Sequence, residues 1–128
     1  MTDIPLYDED EEIPVPVAKA DVRITEAMAR PHPDGRRVRL DFKLTPFLER
    51  PSVDIAVQNL MGDVVATLSL IEAMDTEFEF TVHLRGPEPR GEHTVHFTLF
   101  YPENDAEPVA SRRVVSEHAL TFHIAPPA

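Results

Sequence analysis

Histidine is the side-chain type that first suggests chemistry here, because six occur among 128 residues and imidazole serves as a metal ligand and as a general acid or base. His96 and His123 take outward positions on two strands that we expect to be neighbours, so their rings could approach each other. Zinc requires three or four ligands, and the only obvious acid nearby is Asp54. The pair therefore predicts a surface feature, not a metal site. Two imidazoles brought together would make association with a partner sensitive to pH at about 6. The other histidines show no ligand spacing: His32, His83, His93 and His118.

Patterns that support catalysis are missing from the sequence. It has no cysteine, which excludes disulfides, thiolate catalysis and Cys-based zinc sites. The four glycines all fall at turn positions, so there is no glycine-rich phosphate loop. Neither H-E-x-x-H nor G-x-S-x-G occurs. We expect no catalytic residue, no cofactor and no metal, and a chain that is not an enzyme.

Composition and charge narrow the class of protein further. The length suits one domain, and a hydrophobic content of 42% is ordinary for a folded chain. The net charge of −11 makes nucleic acid and anionic membranes poor partners. No apolar run approaches the roughly 18 residues of a membrane span. The acidic N-terminus does not resemble a signal peptide, so the expected location is cytoplasmic.

The first 20 residues form a segment of their own in composition. They carry six acids against Lys19, followed by the proline-alternating run I-P-V-P-V. Prolines at that spacing keep the chain extended and out of a central strand. The segment is expected to be either a solvated tail or a docking arm, and residues 21–128 are expected to form the domain. In the second case the apolar residues along it would contact a sheet edge or a partner's groove: Ile4, Leu6, Tyr7, Ile13, Val15 and Val17.

From residue 21 onward the apolar residues recur with a period of two, which indicates β-strands. The predicted strands cover residues 22–29, 36–44, 52–58, 63–71, 77–84 and 93–101, with a last strand that ends at T-F-H-I. In that last strand the alternation breaks at residues 116–118, so a bulge or a break in the strand is expected there. Seven short strands separated by regular turns predict an all-β antiparallel sandwich.

The stretch G-E-H-T-V-H-F at residues 91–97 resembles the corner that opens strand F in immunoglobulin and fibronectin type III domains. In that corner a glycine is followed two residues later by an aromatic residue. Here His93 stands where tyrosine is usual, and the chain has neither tryptophan nor cysteine. The resemblance covers residues 21–126 and implies an immunoglobulin/fibronectin-III-like sandwich. Its sheets would group strands one, two and five against strands four, three, six and seven.

Residues 52–72 predict a β-hairpin around Asn59-Leu60-Met61-Gly62. Asparagine first and glycine fourth suit a type I turn whose glycine is left-handed. A four-residue loop would set Val57 opposite Val64, whereas a three-residue loop would set it opposite Val65. Only the four-residue loop places a continuous apolar face on the core, so that register is the prediction.

The two outer faces of the predicted sandwich differ in charge. The face of strands two and five carries six formal charges in eight positions, as expected for a solvated surface. The face of the four-stranded sheet carries Asp54 as its one formal charge, and depletion of charge is typical of interface cores. This face consists of Asp54, Ala56, Gln58, Val65, Thr67, Ser69, Ile71, Thr94, His96, Thr98, Phe100, Ala119, Thr121 and His123.

These patterns predict a non-enzymatic protein–protein interaction module: an adaptor, accessory subunit or assembly subunit that binds a partner or itself. The predicted partner-binding residues are Ala56, Val65, Thr67, Ile71, His96, Thr98, Phe100, Thr121 and His123, with Leu60 and Met61 at the hairpin tip. The alternative is a small-ligand module for carbohydrate or metal that uses residues 102–113 or the surface histidines.

Overall fold

Two antiparallel β-sheets pack face to face in the computed structural model, which describes residues 15–86, 90–103 and 112–125. The strands are β1 (Ile24–Pro31), β2 (Arg37–Leu44), β3 (Ser52–Gln58), β4 (Val64–Leu70), β5 (Glu77–His83), β6 (Gly91–Pro102) and β7 (Arg112–Ile124). One sheet has the order β1-β2-β5 and the other β4-β3-β6-β7. The predicted seven-stranded sandwich and its division into two sheets are therefore confirmed.

The core follows from the period-two pattern, since alternate side chains of a strand point to opposite faces. On β2, Val38, Leu40, Phe42 and Leu44 are buried, while the residues between them are not. The Phe42 ring joins the two sheets, with centroids 5.2 Å from Phe97 of the facing sheet and 5.2 Å from Phe78 of its own. Opposite them, β3 and β6 bury Val53, Ile55, Val57, Val95, Phe97 and Leu99.

Ion pairs cover the outer face of the three-stranded sheet. Arg39 Nη2 lies 2.8 Å from Glu79 Oε2, and Lys43 Nζ lies 3.1 Å from Glu26 Oε2. The hydrogen bond and charge of Glu26 raise the pKa of Lys43. Exposed pairs of this kind add little stability, but they keep the surface hydrated.

The β3–β4 hairpin does not have the predicted four-residue register. The Asn59 N–H donates to the Asp63 carbonyl at 2.9 Å, which closes a three-residue loop, and Gly62 has φ +87°. One extra residue, Val65, then bulges from β4, so Val57 pairs with Ala66. The bulge moves the next leucines, Leu68 and Leu70, opposite Ile55 and Val53. Both simple registers are thus wrong, because a bulge restores the apolar face that the short loop would have turned outward.

A second bulge interrupts the pairing of β6 with β7. Leu99 pairs with Ser116 and Phe100 pairs with Val114, which leaves Val115 as the extra residue. The bulge confirms the predicted break in alternation, one residue earlier than the predicted stretch. The strand itself continues without interruption from Arg112 to Ile124.

Residues that precede β1 lie against the loop between β2 and β3. The Val17 N–H donates to the Pro46 carbonyl at 3.0 Å, and the Val17 carbonyl accepts from the Leu48 N–H at 3.1 Å. A single turn of 3-10 helix, Lys19–Asp21, leads into the first strand. Residues 1–14 lie outside the described residues, and with them the expectation of a tail or docking arm at Ile4, Leu6, Tyr7 and Ile13. Within the described ranges, no helix has the length and hydropathy needed to cross a membrane.

Candidate interaction face

Strand pairing defines which residues share the outer face of the four-stranded sheet. One row across all four strands consists of Thr67, Ala56, His96 and Ala119. The adjacent row consists of Val64, Gln58, Thr94 and Thr121. We call these eight residues the neutral patch, because none of them is an acid, a lysine or an arginine.

The neutral patch is open to solvent and partly ordered by hydrogen bonds. Thr67, His96, Ala119 and Thr121 are exposed, whereas Ala56, Gln58 and Thr94 are half-buried. His96 Nε2 lies 2.9 Å from Gln58 Oε1. An amide oxygen only accepts, so this contact places the imidazole proton on Nε2. The arrangement presents hydroxyl and imidazole groups that can donate and accept hydrogen bonds, with methyl groups between them.

Charge lies along one border of the neutral patch. Asp54 accepts a hydrogen bond from the Ser69 hydroxyl at 2.9 Å and another from Arg112 Nη2 at 2.6 Å. Glu117 pairs with Thr98 in the same row, so its side chain shares this face. The prediction that Asp54 is the one charged residue of this face is therefore wrong. Thr98 is half-buried and marks the border between the patch and this charged row.

Phe100 is not the exposed aromatic that the sequence predicted. Its pairing with Ser52 puts it on the outer side of the sheet, yet only 1% of its surface is exposed. The guanidinium carbon of Arg112 lies 4.1 Å from the ring centroid. A cation over an aromatic face is favourable, and here it covers the ring. Phe100 thus supports the face from beneath and offers no contact surface.

Two other predicted contact residues also lie outside the neutral patch. Val65 is the bulged residue of β4 and is buried, with 7% exposed, because the bulge turns it toward the core. Its neighbour Val64 takes the outward place, with 47% exposed. Ile71 is exposed but follows the end of β4 at Leu70. No feature of the sequence alone would have shown this exchange of Val64 for Val65.

His96 and His123 do not come together. His123 pairs with Glu92, whereas His96 pairs with Ala119, four residues away along β7. That separation corresponds to roughly 13 Å at the rise of a β-strand. In residues 15–86, 90–103 and 112–125, no cluster of three or more histidines and acids could hold a metal ion. The expected approach of the two rings is therefore wrong.

The hairpin tip projects at the end of the sheet where the neutral patch lies. Leu60 and Met61 are 68% and 82% exposed. The Asn59 side-chain oxygen holds the turn by accepting from the N–H groups of Met61 and Asp63, both at 2.9 Å. A Leu60 methyl group lies 3.7 Å from where a Cβ on Gly91 would stand. The tip is thus an apolar projection on a hydrogen-bonded turn, next to the row that contains Val64 and Gln58.

His93, at the corner where tyrosine was expected, is buried and serves the core. Its ring stacks on Phe122 with centroids 5.1 Å apart, and Nδ1 lies 3.0 Å from the Gly91 carbonyl oxygen. Nε2 has no hydrogen-bond partner within the described part of the chain. The residue closes the end of the sandwich and does not reach the neutral patch.

Comparison with known proteins supports the fold but does not identify a family. No family model matches the sequence, and no curated protein matches it. Part of a β-glucuronidase from Bifidobacterium dentium, solved with coumarin-3-O-glucuronide, is similar at 16% identity and a TM-score of 0.59. The match covers 82% of this chain and 18% of that one. Two structures of a glycosyl hydrolase family 2 member from Bacteroides cellulosilyticus are each 12% identical, with TM-scores of 0.53 and 0.52. Those matches cover 80% of this chain and 14% and 15% of theirs.

Proposed function

We propose that this chain is a non-enzymatic protein–protein interaction module, acting as an adaptor, accessory or assembly subunit, and that the neutral patch is its docking surface. The observation that carries the proposal is the neutral patch itself, eight contiguous residues without formal charge on a chain of net charge −11. The opposite outer face is covered by ion pairs. Depletion of charge at the centre of a surface is typical of protein interfaces.

The chemistry of the patch indicates the kind of surface it binds. Thr67, Thr94 and Thr121 present hydroxyl groups that both donate and accept, so the partner surface needs neutral hydrogen-bonding groups opposite them. Asp54 and Arg112, paired at the border, form a charged rim of the kind that surrounds many interfaces. The projecting Met61 supplies an apolar anchor beside the patch.

Similarity to parts of glycosyl hydrolase family 2 chains supports a modular role. A sandwich of this shape occurs there within a longer chain of which it makes up less than a fifth. An accessory subunit of a larger assembly would be the counterpart of such a part. A cytoplasmic location and the lack of an enzymatic activity belong to the same proposal. The metal version of the alternative loses support because His96 and His123 lie apart. The carbohydrate version stays a prediction, since residues 104–111 of its loop lie outside the described residues.

The test is to add one charge to each outer face and compare partner capture. Thr121→Glu places a carboxylate on the neutral patch, and Thr81→Glu places one on the charged face, where Thr81 is likewise exposed and lies opposite Arg39. Partners captured by the immobilised wild-type chain are identified by quantitative mass spectrometry, and the affinity of each is then measured by calorimetry. Thr121→Glu is expected to weaken binding by about tenfold or more, since an unpaired carboxylate must be desolvated at the interface.

Thr81→Glu is expected to bind as the wild type does. Ala119→Glu, on the neighbouring row, provides a second variant of the patch and should weaken binding in the same way. Equal binding by all three variants would place the docking surface elsewhere. Loss of binding in Thr81→Glu alone would assign it to the three-stranded sheet.

A further inference from the structure

Among the described residues, the part of β4 beyond its bulge at Val65 lacks the features that normally protect an edge strand. Proteins blunt such edges with charges, prolines, bulges or a covering segment, because unpaired N–H and C=O groups invite another strand. Its sequence V-V-A-T-L-S-L has neither charge nor proline, and its pairing in the described chain is with β3 alone. The other edge strands are protected by charge or proline: β5 carries Glu77 and Glu79, β1 ends at Pro31, and β7 carries Arg113 and Glu117.

Hydrogen bonding within the hairpin shows which backbone groups point to the open side. The Asn59 N–H donates to the Asp63 carbonyl, so the backbone groups of Asn59 point toward β4. Every second residue of the strand does the same, which applies to Val57, Ile55 and Val53. Their partners on β4 are Ala66, Leu68 and Leu70. The alternate residues, Thr67 and Ser69, therefore direct their N–H and C=O groups away from β3.

The open stretch has a defined start. The Val65 carbonyl accepts a hydrogen bond from the Arg85 N–H at 2.8 Å, so the segment after β5 already occupies the edge at that residue. Beyond it, Thr67 and Ser69 are exposed, and Leu68 and Leu70 are half-buried hydrophobic residues beside the core. With respect to the described part of the chain, the available edge thus consists of residues 66–70.

We propose that this edge pairs antiparallel with the same edge of a second copy of the chain, about a two-fold axis at Leu68. In that register Thr67 lies opposite Ser69 of the second copy. Each such pair exchanges two backbone hydrogen bonds through the groups that face the open side. The two four-stranded sheets would become one continuous sheet.

Self-pairing in this register satisfies both faces of the strand. On the outer face, threonine meets serine, a favourable cross-strand pair without charge. On the inner face, Leu68 meets its own copy and Leu70 meets Ala66 of the second copy, which covers two half-exposed leucines. The flanking acids, Asp63 and Glu72, would stand opposite Ala73 and Val64 of the second copy, so no like charges face each other. This fit does not depend on the proposed partner.

The association is expected to be weak, since five residues of strand pairing bury far less than the roughly 1,600 Å² of a standard interface. Sedimentation velocity from about 10 μM to about 1 mM covers the range in which such contacts dissociate. A dimer is expected to accumulate toward the upper limit. Hydrogen exchange should then slow at the Thr67 and Ser69 amides and stay unchanged at Leu68, which already bonds to β3.

Thr67→Pro removes one donor from the open side without removing a bond to β3, and edge strands tolerate such a proline. The variant is expected to remain monomeric over the whole range, while Thr121→Glu and Thr81→Glu dimerise as the wild type does. A wild type that stays monomeric at about 1 mM would overturn the proposal. So would a dimer in Thr67→Pro, or a wild-type dimer whose Thr67 and Ser69 amides exchange as fast as in the monomer. Should Thr67→Pro fail to fold, the wild-type exchange data decide. Loss of partner binding in Thr121→Glu with dimerisation intact would separate this edge from the neutral patch.

Discussion

At the scale of single residues, Tyr101 connects the end of β6 to the loop before β3. Its hydroxyl donates to the Glu49 carbonyl at 2.7 Å, and only 3% of the residue is exposed. Burial, with a smaller contribution from the charge of Glu49, raises the pKa of Tyr101 to about 12. An unfolded tyrosine ionises near pH 10, so between about pH 10 and 12 the unfolded state loses a proton that the folded state keeps. The contribution of Tyr101 to the free energy of unfolding is therefore fully present below about pH 10, and it is lost as the pH rises above that value.

Tyr101→Phe separates the hydrogen bond from the packing. At pH 7 the free energy of unfolding is expected to fall by about 1 kcal/mol, because the Glu49 carbonyl loses its donor. The difference between wild type and variant should then shrink as the pH rises from about 10 toward 12, because the wild-type contribution disappears. Urea unfolding at several pH values measures both effects. A difference that stays constant over that range would show that the hydroxyl does not titrate with folding.

The burial of Phe100 could not be predicted from the alternation of residues along β6. Alternation along β6 correctly placed it on the outer side of the sheet, opposite Ser52. Whether it is exposed depends on Arg112, which lies twelve residues later in the chain, on β7, and is brought alongside by the β6–β7 pairing. Long side chains such as arginine cover apolar neighbours with their stems and heads, so burial of a surface aromatic follows from tertiary structure.

At the scale of elements, the bulge in β4 decides which residues of the hairpin face the core. The predicted four-residue loop puts Val64 inside and Val65 outside, and the structure reverses them. Val65→Lys is expected to lower the free energy of unfolding by roughly 3 kcal/mol, because it places an unpaired charge in the core. Val64→Lys, one residue earlier and half exposed, should change it by about 0.5 kcal/mol or less. Denaturant unfolding of the two variants measures the contrast, and the opposite order of stabilities would support the unbulged register.

The same hairpin shows what sequence reasoning could and could not predict. Strand positions, sheet membership and the turn at Asn59–Gly62 follow from local alternation and from the backbone preferences of asparagine and glycine. A bulge adds one residue without a residue type that marks it, so the exchange of Val64 and Val65 is decided by packing. The candidate face was therefore predicted in outline: Ala56, Thr67, His96 and Thr121 lie in the neutral patch, while Val65, Ile71, Phe100 and the charged border do not follow the prediction.

At the scale of the whole molecule, the two sheets share one core and differ in the residues of their outer faces. Period-two alternation commits every second residue of β2, β3, β5 and β6 to that core, which leaves the remaining residues to set each outer face. On the three-stranded sheet these are charged residues that pair across strands. On the four-stranded sheet they are mostly threonine, alanine, glutamine and histidine. The contrast supports the proposed docking surface on the four-stranded sheet and a solvated surface on the three-stranded sheet.

The contacts of Val17 bear on where the folded domain begins. The predicted boundary after residue 20 stays a prediction, yet Val17 lies before it and forms a parallel bridge with Phe47, which packs on the core. Val17→Pro removes the N–H that donates to the Pro46 carbonyl. The free energy of unfolding is expected to fall by about 1 kcal/mol, the net value of one such bond. Val15→Pro is the matched control, because Val15 is 74% exposed.

If both proline variants unfold at the denaturant concentration of the wild type, the segment is not part of the cooperative unit, and the domain begins near residue 21. If Val17→Pro alone is destabilised, the unit includes residue 17 and the loop that receives it. Hydrogen exchange at the Leu48 amide, which donates to the Val17 carbonyl, gives an independent measure. That amide should exchange through global unfolding in the wild type and through local opening in Val17→Pro, since a strand contact that loses one of its bonds opens locally first.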